Sequence, residues 1–80
     1  MRIDKFLKNS RIIKRRSVAK EACDSQRVMI NGKVAKAGSE VAVGDRIDIE
    51  FGNNSISVRV DALLDSAKKD DAINMYHAIN

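Results

Sequence analysis

Ile3, Phe6 and Leu7 recur at i, i+3 and i+4, the spacing of one helical stripe, and predict a first short helix from about Ile3 to Ser10. Arg2, Lys5 and Lys8 fall off that stripe, towards solvent. Asp4 lies in the first turn, where a carboxylate favours the helix dipole, and it is spaced to reach Lys8 one turn on. Ile12 and Ile13 then lead over the core into a turn. Ser17 is a candidate N-cap for a second helix, with Val18, Ala19, Ala22 and Cys23 as its buried side.

The period shortens to two after Arg27. Val28 and Ile30 alternate with Met29, Asn31-Gly32 supplies a strong hairpin signal, and Lys33-Val34-Ala35 returns. Val41-Ala42-Val43 leads to a second turn signal at Gly44-Asp45. From Arg46 to Phe51 the alternation places Ile47, Ile49 and Phe51 inward and Arg46, Asp48 and Glu50 outward. Gly52-Asn53-Asn54-Ser55 reads as a loop, after which Ile56, Val58 and Val60 repeat the alternation and predict an antiparallel pair. In the tail (66–80), Ala72, Met75, Tyr76 and Ile79 fall at i, i+3, i+4 and i+7 and predict a closing helix from about Lys68, with Asp70 and Asp71 in its first turn. The expected fold class is α+β: two short N-terminal helices on a small twisted antiparallel sheet, with a C-terminal helix.

Eighty residues set the expectation of a single domain over 1–80 that buries roughly 60% of its unfolded surface and has no room for a deep catalytic cleft. A lone Cys excludes an internal disulfide and suits a reducing compartment. No apolar run approaches the roughly 20 residues of a membrane span, and no secretory leader is legible, so a cytoplasmic protein is expected. His77 has neither a Cys nor a second His nearby, so no metal site is expected. The chain shows no Ser/His/Asp set, Walker loop or paired carboxylates in an apolar setting, and neither an enzyme nor a cofactor is expected.

Charge changes the picture. Up to Lys36 the chain carries eleven Lys/Arg against three acids, a balance of +8; from Ala37 onward four against eight, a balance of −4, within a formal net charge of +4. Folding one half on the other gives a positive face that attracts phosphate. Lys14, Arg15 and Arg16 stand directly before the second helix, beside its unpaired N–H groups and positive dipole end. With two Phe, one Tyr and no Trp, a base-stacking platform is not expected and binding is mainly ionic. The candidate RNA-binding set is Arg2, Lys5, Lys8, Arg11, Lys14, Arg15, Arg16, Lys20 and Lys33. Arg is the informative member, because its planar fork grips phosphate or guanine in two places. The bland alternatives are a solvated surface for scattered lysines such as Lys36, a turn for Asn31-Gly32, core packing for Cys23, and for Asp4 a helix-start residue that orients Arg2 or Lys5.

Arg16-Ser17-Val18-Ala19, then Arg27-Val28-Met29-Ile30-Asn31-Gly32-Lys33-Val34, then Val43-Gly44-Asp45-Arg46-Ile47 resembles the S-four-type RNA-binding domain. Met1-Arg2-Ile3-Asp4-Lys5-Phe6-Leu7 with Ile13-Lys14-Arg15-Arg16 is similar to the stand-alone bacterial members, the heat-shock-protein-fifteen and RqcP (YabO) groups. The tail ending Asn74-Met75-Tyr76 is similar to the latter. One departure stands out: Gln26 occupies a position usually held by Gly, where the left-handed backbone costs a non-glycine residue on the order of 1 kcal/mol.

The resemblance implies that the two helices and the sheet edge form one RNA-binding surface. It implies an accessory factor of ribosome-associated quality control, in contact with large-subunit rRNA and peptidyl-tRNA. Such a factor assists an RqcH/NEMF-type partner in alanine tailing of stalled nascent chains. The alternatives are a heat-shock-type factor recycling free large subunits that carry peptidyl-tRNA, the RNA-binding remnant of an RNA-modifying enzyme, and a protein adaptor using the acidic half and the expected Tyr76 helix. A monomer is the default expectation.

Overall fold

A computed structural model describes residues 1–64, 72 and 74–79. Helices α1 (Ile3–Asn9) and α2 (Arg16–Asp24) are followed by strands β1 (Val28–Ile30), β2 (Lys33–Val34), β3 (Arg46–Phe51), β4 (Asn54–Val60) and β5 (Tyr76–Ala78). The strands form one antiparallel sheet in the order β2-β1-β3-β4-β5. Period-two patterning sets its faces. Val28 opposes Ile49, Ile30 opposes Ile47, and Ile47 in turn opposes Val58, so the apolar side chains of three strands share one surface. Ile3, Phe6 and Leu7 of α1 and Ala19 and Cys23 of α2 close over that surface into a single core.

Local chemistry fixes the corners. Asn31 and Gly32 have φ of 52° and 82°, the paired positive values of a type I′ hairpin turn. Asn31 also ties this turn to β3: its Oδ1 accepts the Arg46 N–H at 2.9 Å and its Nδ2 donates to Asp45 Oδ1 at 3.0 Å. The Gly44-Asp45 turn is braced by Asp45 Oδ2, which accepts the Ala42 N–H at 2.8 Å. At the end of α2, Gln26 adopts φ 62°. Its N–H reaches the Cys23 carbonyl at 3.0 Å and the Arg27 N–H reaches the Ala22 carbonyl at 3.0 Å. These are the two bonds of a Schellman motif, formed with Gln in the glycine position. Arg11 turns the chain after α1 in the same left-handed region, φ 63°, with its N–H on the Lys8 carbonyl at 3.1 Å.

The structure departs from expectation at several places. Tyr76–Ala78 is strand β5, not part of a helix; it pairs with β4 through Val58–Ala78, Arg59–His77 and Val60–Tyr76. A short stretch with apolar residues at i, i+3, i+4 and i+7 is compatible with either state. Pairing β4's open edge satisfies backbone groups that a helix would leave exposed. The expected helix start at Lys68 lies outside the described residues. The Gly52 loop is tighter than expected, since Asn54 and Ser55 already pair with Phe51 and Glu50. Ser17 is not the N-cap: α2 begins at Arg16, with Arg15 as N-cap and no side-chain cap. Val18 is 46% exposed and Phe51 40% exposed, although both were expected inside. Val18 lies one residue off the Ala19–Cys23 stripe, and Phe51 sits at a strand end that α2 does not cover.

Cys23 is 2% exposed within the core. Burial, reinforced by the charges of Asp4 and Asp24, pushes its thiol up to about 11 from 9.0. The fold therefore favours the protonated thiol. That contribution is intact below pH 9.0 and drains away as pH rises towards about 11. A disulfide reagent at pH 8 should modify Cys23 only on unfolding, and Cys23→Ser should flatten the loss of stability between pH 9 and 11; rapid labelling of the native chain would contradict this. Gln26→Gly should raise stability by a few tenths of a kcal/mol, up to about 0.5 kcal/mol, read as a higher melting temperature, because the left-handed strain it relieves exceeds the added freedom it gives the unfolded chain.

Candidate nucleic-acid interface

The N-terminus first lays an extended segment against residues 37–41. The Ile3 N–H bonds the Ser39 carbonyl at 2.8 Å, the Val41 N–H bonds the Met1 carbonyl at 2.9 Å, and the α-amino group meets Glu40 at 2.7 Å. Arg2 is the N-cap of α1 and its guanidinium lies over Gly38, with Nε 3.9 Å from where a Cβ would stand. Asp4 follows in the first turn of the helix and is buried, 3% exposed.

That carboxylate organises the site. Its Oδ1 accepts the Lys5 N–H at 2.8 Å. Its Oδ2 accepts from Arg2 Nη2 at 3.3 Å and from Arg16 Nε at 3.4 Å. Two guanidinium groups from different helices thus converge on one buried acid while remaining about half exposed, 50% for Arg2 and 49% for Arg16. Each keeps donors turned to solvent, because an Arg side chain carries five and the carboxylate occupies few of them. One negative charge beneath two positive ones leaves the surface net cationic. It also holds both forks in fixed positions, which lowers the ordering cost of gripping a phosphate.

Arg16 is also the first residue of α2. No side chain caps this end and its first turn contains no acid. Lys14 and Arg15 precede it, exposed, and Lys20 stands one turn further along the same helix, also exposed. The positive dipole end and four cations therefore occupy one end of the helical layer. Lys5 is half-buried beside Asp4, Lys8 is exposed in the last turn of α1, and Arg11 makes the left-handed turn between the helices. Lys33 belongs to another element: it is exposed on edge strand β2, opposite Ile30 and so on the helix-bearing side of the sheet.

Sequence reasoning placed Asp4 with Arg2 or Lys5 and missed its bond to Arg16, twelve positions away; no local spacing signals it. The downstream arginines have duties of their own. Arg46 pairs with Asp48 at 3.2 Å and Arg59 donates to the Gly44 carbonyl at 2.7 Å, both on the sheet face away from the helices. His77 meets Asp61 at 2.8 Å. Among the described residues, no group of three or more His, Cys, Asp or Glu could hold a metal ion. No described helix is long and apolar enough to cross a membrane.

Comparison with known proteins agrees with this layout. The S4 domain model matches residues 1–47, which include both helices and all the candidate cations. The RQC P-site tRNA stabilizing factor of Bacillus subtilis (strain 168) is 53% identical over 76 residues, covering 95% of this chain and 88% of the relative. Its counterpart from Streptococcus pneumoniae (strain ATCC BAA-255 / R6) is 50% identical over 80 residues, covering 100% and 91%. Heat Shock Protein 15 of Vibrio cholerae, solved as a trimeric structure, superposes with a TM-score of 0.91 at 26% identity, covering 99% of this chain and 81% of that one. With its S4 model match and near full-length identity to these factors, the chain belongs to the S4 domain family, in the group of the RQC P-site tRNA stabilizing factors.

Proposed function

We propose that this protein is a non-enzymatic RNA-binding factor that stabilises tRNA in the P-site of stalled large ribosomal subunits. The observation carrying the reading is the pair of half-exposed guanidiniums, Arg2 and Arg16, fixed on one buried carboxylate at an uncapped helix start. Such a surface binds a sugar–phosphate backbone and holds its position, and it performs no bond chemistry. In this reading Arg2, Arg11, Lys14, Arg15, Arg16 and Lys20 grip RNA, with Lys5, Lys8 and Lys33 adding charge at the margins. The RNA is large-subunit rRNA together with peptidyl-tRNA. The factor acts as a monomer in the cytoplasm beside an RqcH/NEMF-type partner, and supports alanine tailing by keeping the tRNA in a productive geometry. The names of the close relatives support the P-site and quality-control parts of this reading.

The close superposition on Heat Shock Protein 15 favours a second reading, a factor that recycles free large subunits carrying peptidyl-tRNA. The two separate by dependence. A quality-control factor loses its effect on nascent-chain tailing when an RqcH-type partner is deleted, whereas a recycling factor keeps its effect on free large subunits carrying peptidyl-tRNA.

Arg16→Ala should weaken ribosome association at least tenfold in a pelleting assay, about what loss of one charge-assisted phosphate grip costs. Melting should shift by less than about 1 kcal/mol, since Asp4 keeps Arg2 and the Lys5 N–H. Loss of folding would make Arg16 a structural residue. With about five phosphates neutralised, log affinity should fall against log salt with a slope near −4. A flat salt response would count against the RNA reading.

A further inference from the structure

A groove between α2 and the end of β3 has no part in the RNA surface. Ile13, Val18 and Ala22 line one side and Phe51 the other, around a volume of about 160 Å³. Val18 and Phe51 are two of the four large apolar side chains the described residues leave exposed, and here they stand together. The space is below the roughly 300–1,000 Å³ of small-molecule pockets and is sized for one side chain of a partner.

The groove's charge runs opposite to that of the chain. Glu21 and Glu50 line it with Arg27, two carboxylates against one guanidinium in a protein of net +4. Neither Glu21 nor Glu50 has a salt-bridge partner among the described residues. An RNA strand seated here would bring phosphates onto both acids. At about 100° per residue, Val18, Glu21, Ala22 and Ser25 lie on the side of α2 opposite Arg16. The helix therefore presents cations for nucleic acid on one side and an acid-rimmed apolar slot on the other.

We infer that this groove docks a protein segment carrying one large aliphatic or aromatic side chain flanked by Lys or Arg. The anchor fills the space beside Phe51 and Val18, and the flanking cations meet Glu21 and Glu50, a buried apolar centre with a charged rim. The setting in which the partner is met, though not the groove itself, rests on the ribosomal reading above.

The test places the photo-crosslinking residue p-benzoylphenylalanine at Phe51, and separately at Arg15, in the full chain. Ribosomal particles are isolated from cells after irradiation and the linked peptide or nucleotide is sequenced. The Phe51 probe should link to a protein segment with an apolar residue flanked by Lys or Arg. Glu21→Lys with Glu50→Lys should cut that yield about fivefold or more, as expected for two rim ion pairs. A link from Phe51 to RNA, to a second copy of this chain or to a segment without basic residues overturns the inference. No link, or a yield indifferent to charge reversal, overturns it equally. Failure of the Arg15 probe to link RNA while the Phe51 probe succeeds leaves the groove intact and removes the RNA reading instead. Should the Phe51 variant lose its cooperative melt, the probe at exposed Val18 takes its place.

Discussion

The buried carboxylate of Asp4 is the joint on which the functional layer turns. An acid at the start of a helix ordinarily serves the dipole and a backbone N–H, and Asp4 does bond the N–H of Lys5. Its second oxygen draws in a guanidinium from each helix. Without it, Arg2 and Arg16 would repel one another and sample many rotamers. With it, two like charges become a prepared clamp whose outward donors remain free to act. The carboxylate is in turn held by the core beneath it, where Ile3, Phe6 and Leu7 seat α1 against the sheet. Packing thus sets helix position, helix position sets the acid, and the acid sets the arginines.

Much of this was legible from residue order. The i, i+3, i+4 set of α1, the Asn31-Gly32 hairpin and the alternation of Arg46–Phe51 are local patterns, and local patterns specify local structure. Even the anomaly at Gln26 could be read, because the left-handed demand of a helix end is a property of a few consecutive residues. What escaped was non-local. Nothing near Asp4 announces Arg16. Phe51 carries the right periodicity for burial, but a nine-residue helix does not cover every apolar position the sheet offers, and Val18 falls just off the Ala19–Cys23 stripe that the helix buries.

The tail shows the same limit in another form. Ala72, Met75, Tyr76 and Ile79 fit a helical stripe, yet Tyr76–Ala78 answers to β4. Periodicity over so few residues does not discriminate between states, and the decision passes to whichever partner has unmet hydrogen bonds. Met75, fully buried, anchors the returning segment, and its carbonyl accepts the N–H groups of Asp61 and Ala62 at 2.8 and 3.2 Å.

This stitching makes the sheet's integrity depend on a segment distant in sequence from the RNA-facing helices. Were Tyr76–Ala78 cut away or masked by a fused tag, β4 would present a bare row of amides and carbonyls. Neighbouring molecules could then add strand to strand. The bonds of Arg2 and Arg16 to Asp4 involve no residue of that segment, so exposing this border would promote aggregation without altering the RNA-facing clamp in each copy.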